Sequence, residues 1–282
     1  MRAAGRSRPG PHHRAARFET HRRRSAAMTA VRTARISILS LALVLAACTA
    51  PSTLHPPQPD RASELNLQLG IDALRKGNLA QAKDRIERAL KYDSRNAQAH
   101  AMAGLLYDRL GEQRKADSHF RRAVSLAPKD SEILNNYAAY LCQNGRYDRG
   151  ERFALEAAAN PLYATPAVAL VNAGNCARGG GSNERAEQHF RRALAIDPRM
   201  PTALLQMAEI EYAQANYLSA RAFLERYLAV GRNDPATLML GVRIERSLGN
   251  ADAAREYAER LRAEFPTAKE THELAAVERN PG

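Results

Sequence analysis

The sequence predicts an all-α protein made of about six stacked helix-turn-helix units, and three observations carry that expectation. Small and large residues recur in a 34-residue register between residues 63 and 266. Hydrophobic residues make up 45% of the chain, enough for a continuous core, and β-rich runs are almost absent. Glycine and proline fall at set places in the register, where they punctuate helices instead of interrupting them.

The chain begins with Arg-rich residues 1–27, which hold too few apolar clusters to bury a core and read as a disordered leader or a misassigned start. Met28 stands before Arg32 and Arg35, so residues 28–47 form a complete export signal by themselves. Its apolar run, Ile36 to Ala47, has 12 residues, whereas a membrane-spanning helix needs roughly 20. The run ends in Leu45-Ala46-Ala47-Cys48, which resembles the bacterial lipoprotein box, whose cysteine is acylated and becomes the first mature residue. Cys48 is therefore the expected lipidation site. Residues 48–62 follow as a tether, with four prolines between Thr49 and Ala62. At about 3.1 Å per residue in polyproline II, it spans roughly 40 Å.

The clearest repeat is 97–130, with Gly104, Tyr107, Gly111, Ala116, Phe120, Ala123 and Pro128 at positions 8, 11, 15, 20, 24, 27 and 32. This is the tetratricopeptide pattern. Residues 63–96 match it through Leu69, Gly70, Gly77, Ala82, Ile86 and Ala89, and residues 167–200 through Gly174, Gly181, Ala186, Phe190, Ala193 and Pro198. Residues 131–164 depart from it at Gly150, where alanine is expected, and Thr165-Pro166 is a two-residue insertion. Residues 201–233 keep Ala208, Ala220 and Leu224. In the last unit Gly241 fits one register while Gly249, Ala254 and Pro266 fit the next, which predicts an extra residue in that inter-helix turn. Small residues at positions 8 and 20 let helices A and B of a repeat approach, and large ones at 11 and 24 fill the remaining space. Stacking buries faces that no single pair can bury, which yields a superhelix with a concave surface. Residues 267–282 are the C-terminal cap and tail, with a short helix expected from Glu270 to Arg279.

Charge does not indicate nucleic acid as a partner. The formal +12 is concentrated before Cys48, where ten Arg face one Glu; 32 basic and 29 acidic residues remain beyond it, a net +3. Cys142 and Cys176 both fall on helices A of successive repeats, which are neighbours, so they are either bridged or two unpaired core thiols. A bridge would stabilise by about 4 kcal/mol on the chain-entropy account.

The stretch GNCARGGGS, 174–182, has the glycines of a phosphate loop but neither its lysine nor a preceding strand. His55, His100, His119, His189 and His272 have no metal spacing, and His119 and His189, each beside a packing Phe, are expected to be solvated. With no catalytic constellation, the expectation is a binding protein without cofactor, metal or small-molecule substrate. Its candidate partner surface is the row formed by Leu67, Ile71, Leu74 and Leu105, continued by Asn135, Gln143, Asn175 and Arg178. Core positions on the first helix are assigned to Leu69, Gly70 and Ala73, so the leucine stripe is either a partner groove or a helix end tucked against the tether or the second repeat.

Three stretches exceed what generic repeat spacing requires: ILNNYAAYLCQNGRYDRGE from Ile133, NPLYATPAVALVNAGNCA from Asn160 and LMLGVRIERSLGN from Leu238. With the lipid signal, they make the chain resemble the type IV pilus biogenesis and stability lipoproteins, the PilW/PilF pilotins. That resemblance implies an outer-membrane lipoprotein on the periplasmic face that binds secretin subunits and promotes their outer-membrane localisation and multimerisation. The sorting rule that comes with it associates Asp after the cysteine with inner-membrane retention, and here Thr49 follows Cys48. A general cell-envelope scaffold, serving peptidoglycan enzymes or outer-membrane assembly, would use the same anchor and repeats.

Overall fold

The computed structural model describes residues 59–279, with side chains from 60 to 274. Cys48, the export signal, the leader and the tether up to residue 58 lie outside the described residues. The described residues form thirteen helices and no strand: α1 (Pro59–Arg75), α2 (Leu79–Tyr92), α3 (Ala97–Arg109), α4 (Gln113–Leu126), α5 (Ser131–Gln143), α6 (Tyr147–Ala158), α7 (Pro166–Gly179), α8 (Asn183–Ile196), α9 (Pro201–Ala213), α10 (Tyr217–Leu228), α11 (Pro235–Ser247), α12 (Ala251–Glu264) and α13 (Lys269–Arg279). Odd helices from α1 to α11 are helices A, even ones are helices B, and α13 closes the stack.

Local chemistry sets the ends of these helices. Asn78, Asn96, Asp130, Ser182, Asp234 and Asn250 cap helix N-termini by accepting backbone N–H groups, and Pro166, Pro201 and Pro235 occupy first turns. Every turn within a repeat has three residues, and five carry a glycine in the left-handed region: Gly77, Gly111, Gly145, Gly181 and Gly249, with φ between 73° and 85°. The sixth equivalent is Ala215, at φ 61°.

These turns place the repeats at 63, 97, 131, 167, 201 and 235, and they correct the expected extra residue in the last turn. Leu248 to Asn250 is as short as the other turns, so the fifth repeat is a full 34 residues and the sixth begins one residue later than expected. Gly241 was misleading because it stands at position 7, where it beds the ring of Tyr257, 2.7 Å from where a Cβ would lie. The position 8 and 24 pair in that repeat is Val242 and Ala258, the reverse of Gly104 and Phe120, and both are buried.

The core runs through the stack in segments. One apolar cluster joins repeats 1 to 3, from Leu67 to Leu141, and another runs from Leu170 to Ile244. Between them lie two small clusters dominated by alanine: Leu134 with Ala157 and Ala169, and Ala138 with Ala154 and Ala173. Leu274 of α13 is fully buried against Leu238, Met239, Val242, Ala258 and Leu261, which closes the C-terminal end.

Ionic pairs also tie repeats together. Arg191 of α8 meets buried Glu211 of α9 at 2.8 Å, and Arg221 of α10 pairs with buried Glu245 of α11. Both glutamates stand at position 11, where repeat 2 has Tyr107, so ion pairing replaces aromatic filling in the last repeats. A buried carboxylate is retained there because its guanidinium partner offsets its desolvation.

Candidate functional site

Successive helices A contact one another along most of the stack, whereas successive helices B do not to a comparable extent, so the A row follows the inner, shorter path of the curve. Most of the side chains expected to serve a partner are occupied within the fold. Leu67 and Leu74 are only 7% and 5% exposed and belong to the core of repeats 1 to 3, and Ile71 and Leu105 are half-buried against it. The reading of this stripe as an open groove is therefore corrected: the helix end is tucked into the core. Asn135 is buried and accepts from Asn172 Nδ2 at 2.8 Å. Arg178 donates to Gln206 and Glu209 of α9, strapping two helices A whose backbones approach less closely than others in the row. Gln143 and Asn175 are exposed.

On α1 the exposed apolar residues are Leu65, at 58%, and Leu69, at 39%. The core assignment of Leu69 is corrected accordingly. The cause is positional: positions 3 and 7 face the preceding helix B, and their equivalents Ala99, Ala103, Ile133, Tyr137, Ala203 and Met207 are buried. The first repeat has no such preceding layer among the described residues. That signal was present in the sequence, because a terminal repeat always leaves this face without a repeat to cover it.

Cys142 and Cys176 form a disulfide with Cα atoms 5.2 Å apart, joining helix A of repeat 3 to helix A of repeat 4. Gly150 packs on it: a Cβ there would overlap Cys142 Sγ and stand 2.9 Å from the Ala138 carbonyl oxygen and 3.0 Å from Cys176 Sγ. The run of glycines at 179–181 has its own structural cause. Gly179 beds the Tyr147 ring and Gly181 supplies the left-handed turn, so no phosphate loop is formed.

The two histidines expected in solvent are not free. His189 is 7% exposed; its Nε2 lies 2.9 Å from Glu151 Oε1, and Arg185 braces the same carboxylate at 3.1 Å. His189 Nδ1 has no partner, so the Nε2–H tautomer satisfies the pair. His119 is half-buried with its Nδ1 3.0 Å from His100 Nδ1. Among residues with described side chains, no group of three or more His, Cys, Asp and Glu is placed to hold a metal, and no described helix is long and apolar enough to cross a membrane.

A second surface lies at the start of α5. The 159–165 connection is longer than its counterparts and is tied down: Asn160 Nδ2 donates to Ser131 Oγ at 3.0 Å, and Asn160 Oδ1 accepts from Leu162 N at 3.0 Å. Beside it a cavity of about 640 Å³ is lined by Ser131, Glu132, Asn135, Asn136, Tyr163 and Thr165, among others. Leu162 stands at its rim, 90% exposed. The sequence signal for this surface was the Thr165-Pro166 insertion together with a leucine at position 32, where repeats 2 and 4 have Pro128 and Pro198.

A stack of paired helices with capped turns, an inner row of helices A and ligand-sized polar hollows is a tetratricopeptide-repeat protein. Models described as Tetratricopeptide repeat match residues 67–116, 119–152 and 177–244. The chain is 27% identical over 243 residues to the type IV pilus assembly protein PilF of Pseudomonas aeruginosa, covering 85% of this chain and 96% of that protein. A solved structure of Pseudomonas aeruginosa PilF matches with a TM-score of 0.72 at 28% identity, over 78% of this chain and 99% of that one. The crystal structure of PilW, described as a widely conserved type IV pilus biogenesis factor, matches with a TM-score of 0.70 at 33% identity, over 76% of this chain and 98% of that one. The chain belongs to this PilF/PilW family of tetratricopeptide-repeat type IV pilus biogenesis proteins.

Proposed function

We propose that the protein is a non-enzymatic lipoprotein of the outer membrane, held on its periplasmic face by acylated Cys48, that binds secretin subunits and promotes their localisation and multimerisation during pilus biogenesis. The observation that carries this reading is the similarity to PilF along 96% of that protein's length, which spans the whole stack and not one repeat. The lipoprotein box and tether support the anchor. An acyl chain contributes about 0.8 kcal/mol per buried methylene, and two or more chains hold stably. Tethering the solenoid to the target membrane raises the local concentration of a weakly held subunit without any added contact. Exposed Leu65 and Leu69 offer apolar area for capture.

The test is an assay of heat-resistant secretin multimers in membranes separated by density. Deleting the gene should abolish the multimers. Cys48→Ala should leave multimers forming in the wrong membrane, because the fold does not need the lipid. Wild-type multimers in the outer membrane of both strains would overturn the proposal, as would an unmodified thiol at residue 48 in the exported protein. A cell-envelope scaffold is the second reading. The same lipid anchor and repeats would serve it. Under it, deletion would spare the multimers and disturb cell shape.

A further inference from the structure

We infer that the hollow between the start of α5 and the 159–165 connection is a docking site for an extended, uncharged segment of a partner polypeptide, with Leu162 as its apolar anchor. The first argument is preorganisation. Asn160 fastens the connection to Ser131 and caps the turn through Leu162 N, the Tyr163 amide donates to the Asn160 carbonyl at 3.1 Å, and Pro161 and Pro166 restrict the backbone on either side. Leu162 is therefore presented on a held turn, and it is the most exposed large apolar side chain among the described residues. A leucine packed on nothing contributes little to the fold; fixed in place, it loses little freedom when a partner covers it.

The chemistry of the hollow indicates what it takes. Asn135 keeps its Nδ2 donors after accepting from Asn172, the Thr165 hydroxyl caps no backbone group, and Asn136 makes no side-chain hydrogen bond among the described residues. A side-chain amide offers one acceptor and a pair of donors, the complement of a peptide unit, so neighbouring asparagines on α5 suit a backbone running past them. Lys129, Asp130 and Glu132 at the edge leave one net negative charge, which disfavours an anion; the Asp130 carboxylate already accepts from Gln98 and from the Glu132 and Ile133 amides, so no free acidic cluster calls for a cation. The volume of about 640 Å³ falls within the roughly 300–1,000 Å³ typical of ligand sites. One exposed leucine is far from the roughly 800 Å² per partner of a stable dimer, which argues against a second copy as occupant. An extended segment needs only the hollow and one apolar contact.

The choice of probe rests on the secretin reading; the site does not. Overlapping short peptides covering the organism's secretin and its other pilus-assembly proteins are to be titrated, by fluorescence anisotropy, into the folded solenoid and its Leu162→Asp and Asn136→Ala variants, with Leu218→Asp on α10 as an exposed control. Helical circular dichroism should be unchanged, since Leu162 is exposed and Asn136 half-buried. The expected result is a secretin peptide whose affinity falls about tenfold or more with either hollow variant and not with the control. A peptide from another assembly protein showing that pattern keeps the site and removes the secretin. A secretin peptide bound equally by all variants removes the site and keeps the secretin. Absence of any peptide binding at about 1 mM overturns the site.

Discussion

Gly150 and the Cys142–Cys176 bridge form one structural unit. The repeat pattern asks for alanine at position 20, and the disulfide occupies the space that its methyl group would take. The substitution Gly150→Ala should therefore cost less without the cysteines. In the bridged protein it forces backbone and sulfur apart and should destabilise by about 1–3 kcal/mol. In the Cys142→Ala/Cys176→Ala background the sulfur overlap is gone and the Ala138 carbonyl oxygen, 2.9 Å from the new methyl group, is the contact that must give, so the cost should fall by about 1 kcal/mol. Urea denaturation of the four variants measures this; an equal cost in both backgrounds would dissolve the unit. The departure at 150 was visible in the sequence, but its cause lies in two residues from other helices and was not. Ala215 is a simpler case, since it alone among the six turns holds a side chain at positive φ. Left-handed backbone costs a non-glycine about 1–2 kcal/mol, part of which glycine returns as unfolded-state entropy. Ala215→Gly should raise the melting temperature by about 2 °C in calorimetry.

At the scale of the helical pair, the α3–α4 hairpin joins two histidines that cannot both be charged comfortably. His100 Nε2 lies 3.1 Å from the Ser94 carbonyl oxygen and so carries a hydrogen, which leaves its Nδ1 to accept from His119 Nδ1–H. Burial lowers both below the ordinary 6.5. Arg122 adds to the effect on His100, and His100 and Lys115 add to that on His119; the Ser94 carbonyl and Asp93 oppose it at His100, and Glu87 opposes it at His119. Because the folded values lie below the unfolded one, the unfolded chain binds more protons in the window beneath 6.5. The pair's contribution is thus present above that value and is lost as pH falls through the window. Stability to urea should drop between about pH 7.5 and pH 5, and His119→Phe, which keeps a ring stacked on Tyr107, should make the drop smaller. An unchanged pH slope would remove the pair from the account. Helix boundaries and small-to-large packing within hairpins were legible in the sequence because both repeat every 34 residues. These histidine contacts were not, because position 23 of helix B is solvated or buried according to what its neighbours happen to be.

Across the whole solenoid, stability is a sum of repeats and the faces between them, so the weakest face decides how the chain comes apart. The face leanest in large apolar side chains is the junction of repeats 3 and 4: α6 and α7 approach more closely than any other neighbouring helices across a repeat boundary, but the core between them consists of alanine clusters set between the two larger ones. The sequence marked this place three times, by Gly150, by the cysteines and by the two-residue insertion, and each mark has a cause here: the bridge, its fitted glycine, and the connection carrying Leu162. What it did not reveal is that the apolar core is divided at this point, since burial depends on which faces meet and not on composition. Alanine burial contributes little per residue, so the covalent tie, worth about 4 kcal/mol by loop closure, keeps the halves in one cooperative unit. The wild-type chain should therefore unfold in urea in one transition. The Cys142→Ala/Cys176→Ala variant should unfold in two, with hydrogen exchange rising first in α6 and α7 while α3 to α5 and α8 to α11 stay protected. Mass-resolved exchange along the urea curve distinguishes this from uniform weakening; a single transition in the variant, with all helices opening together, would show that the alanine junction couples the halves unaided.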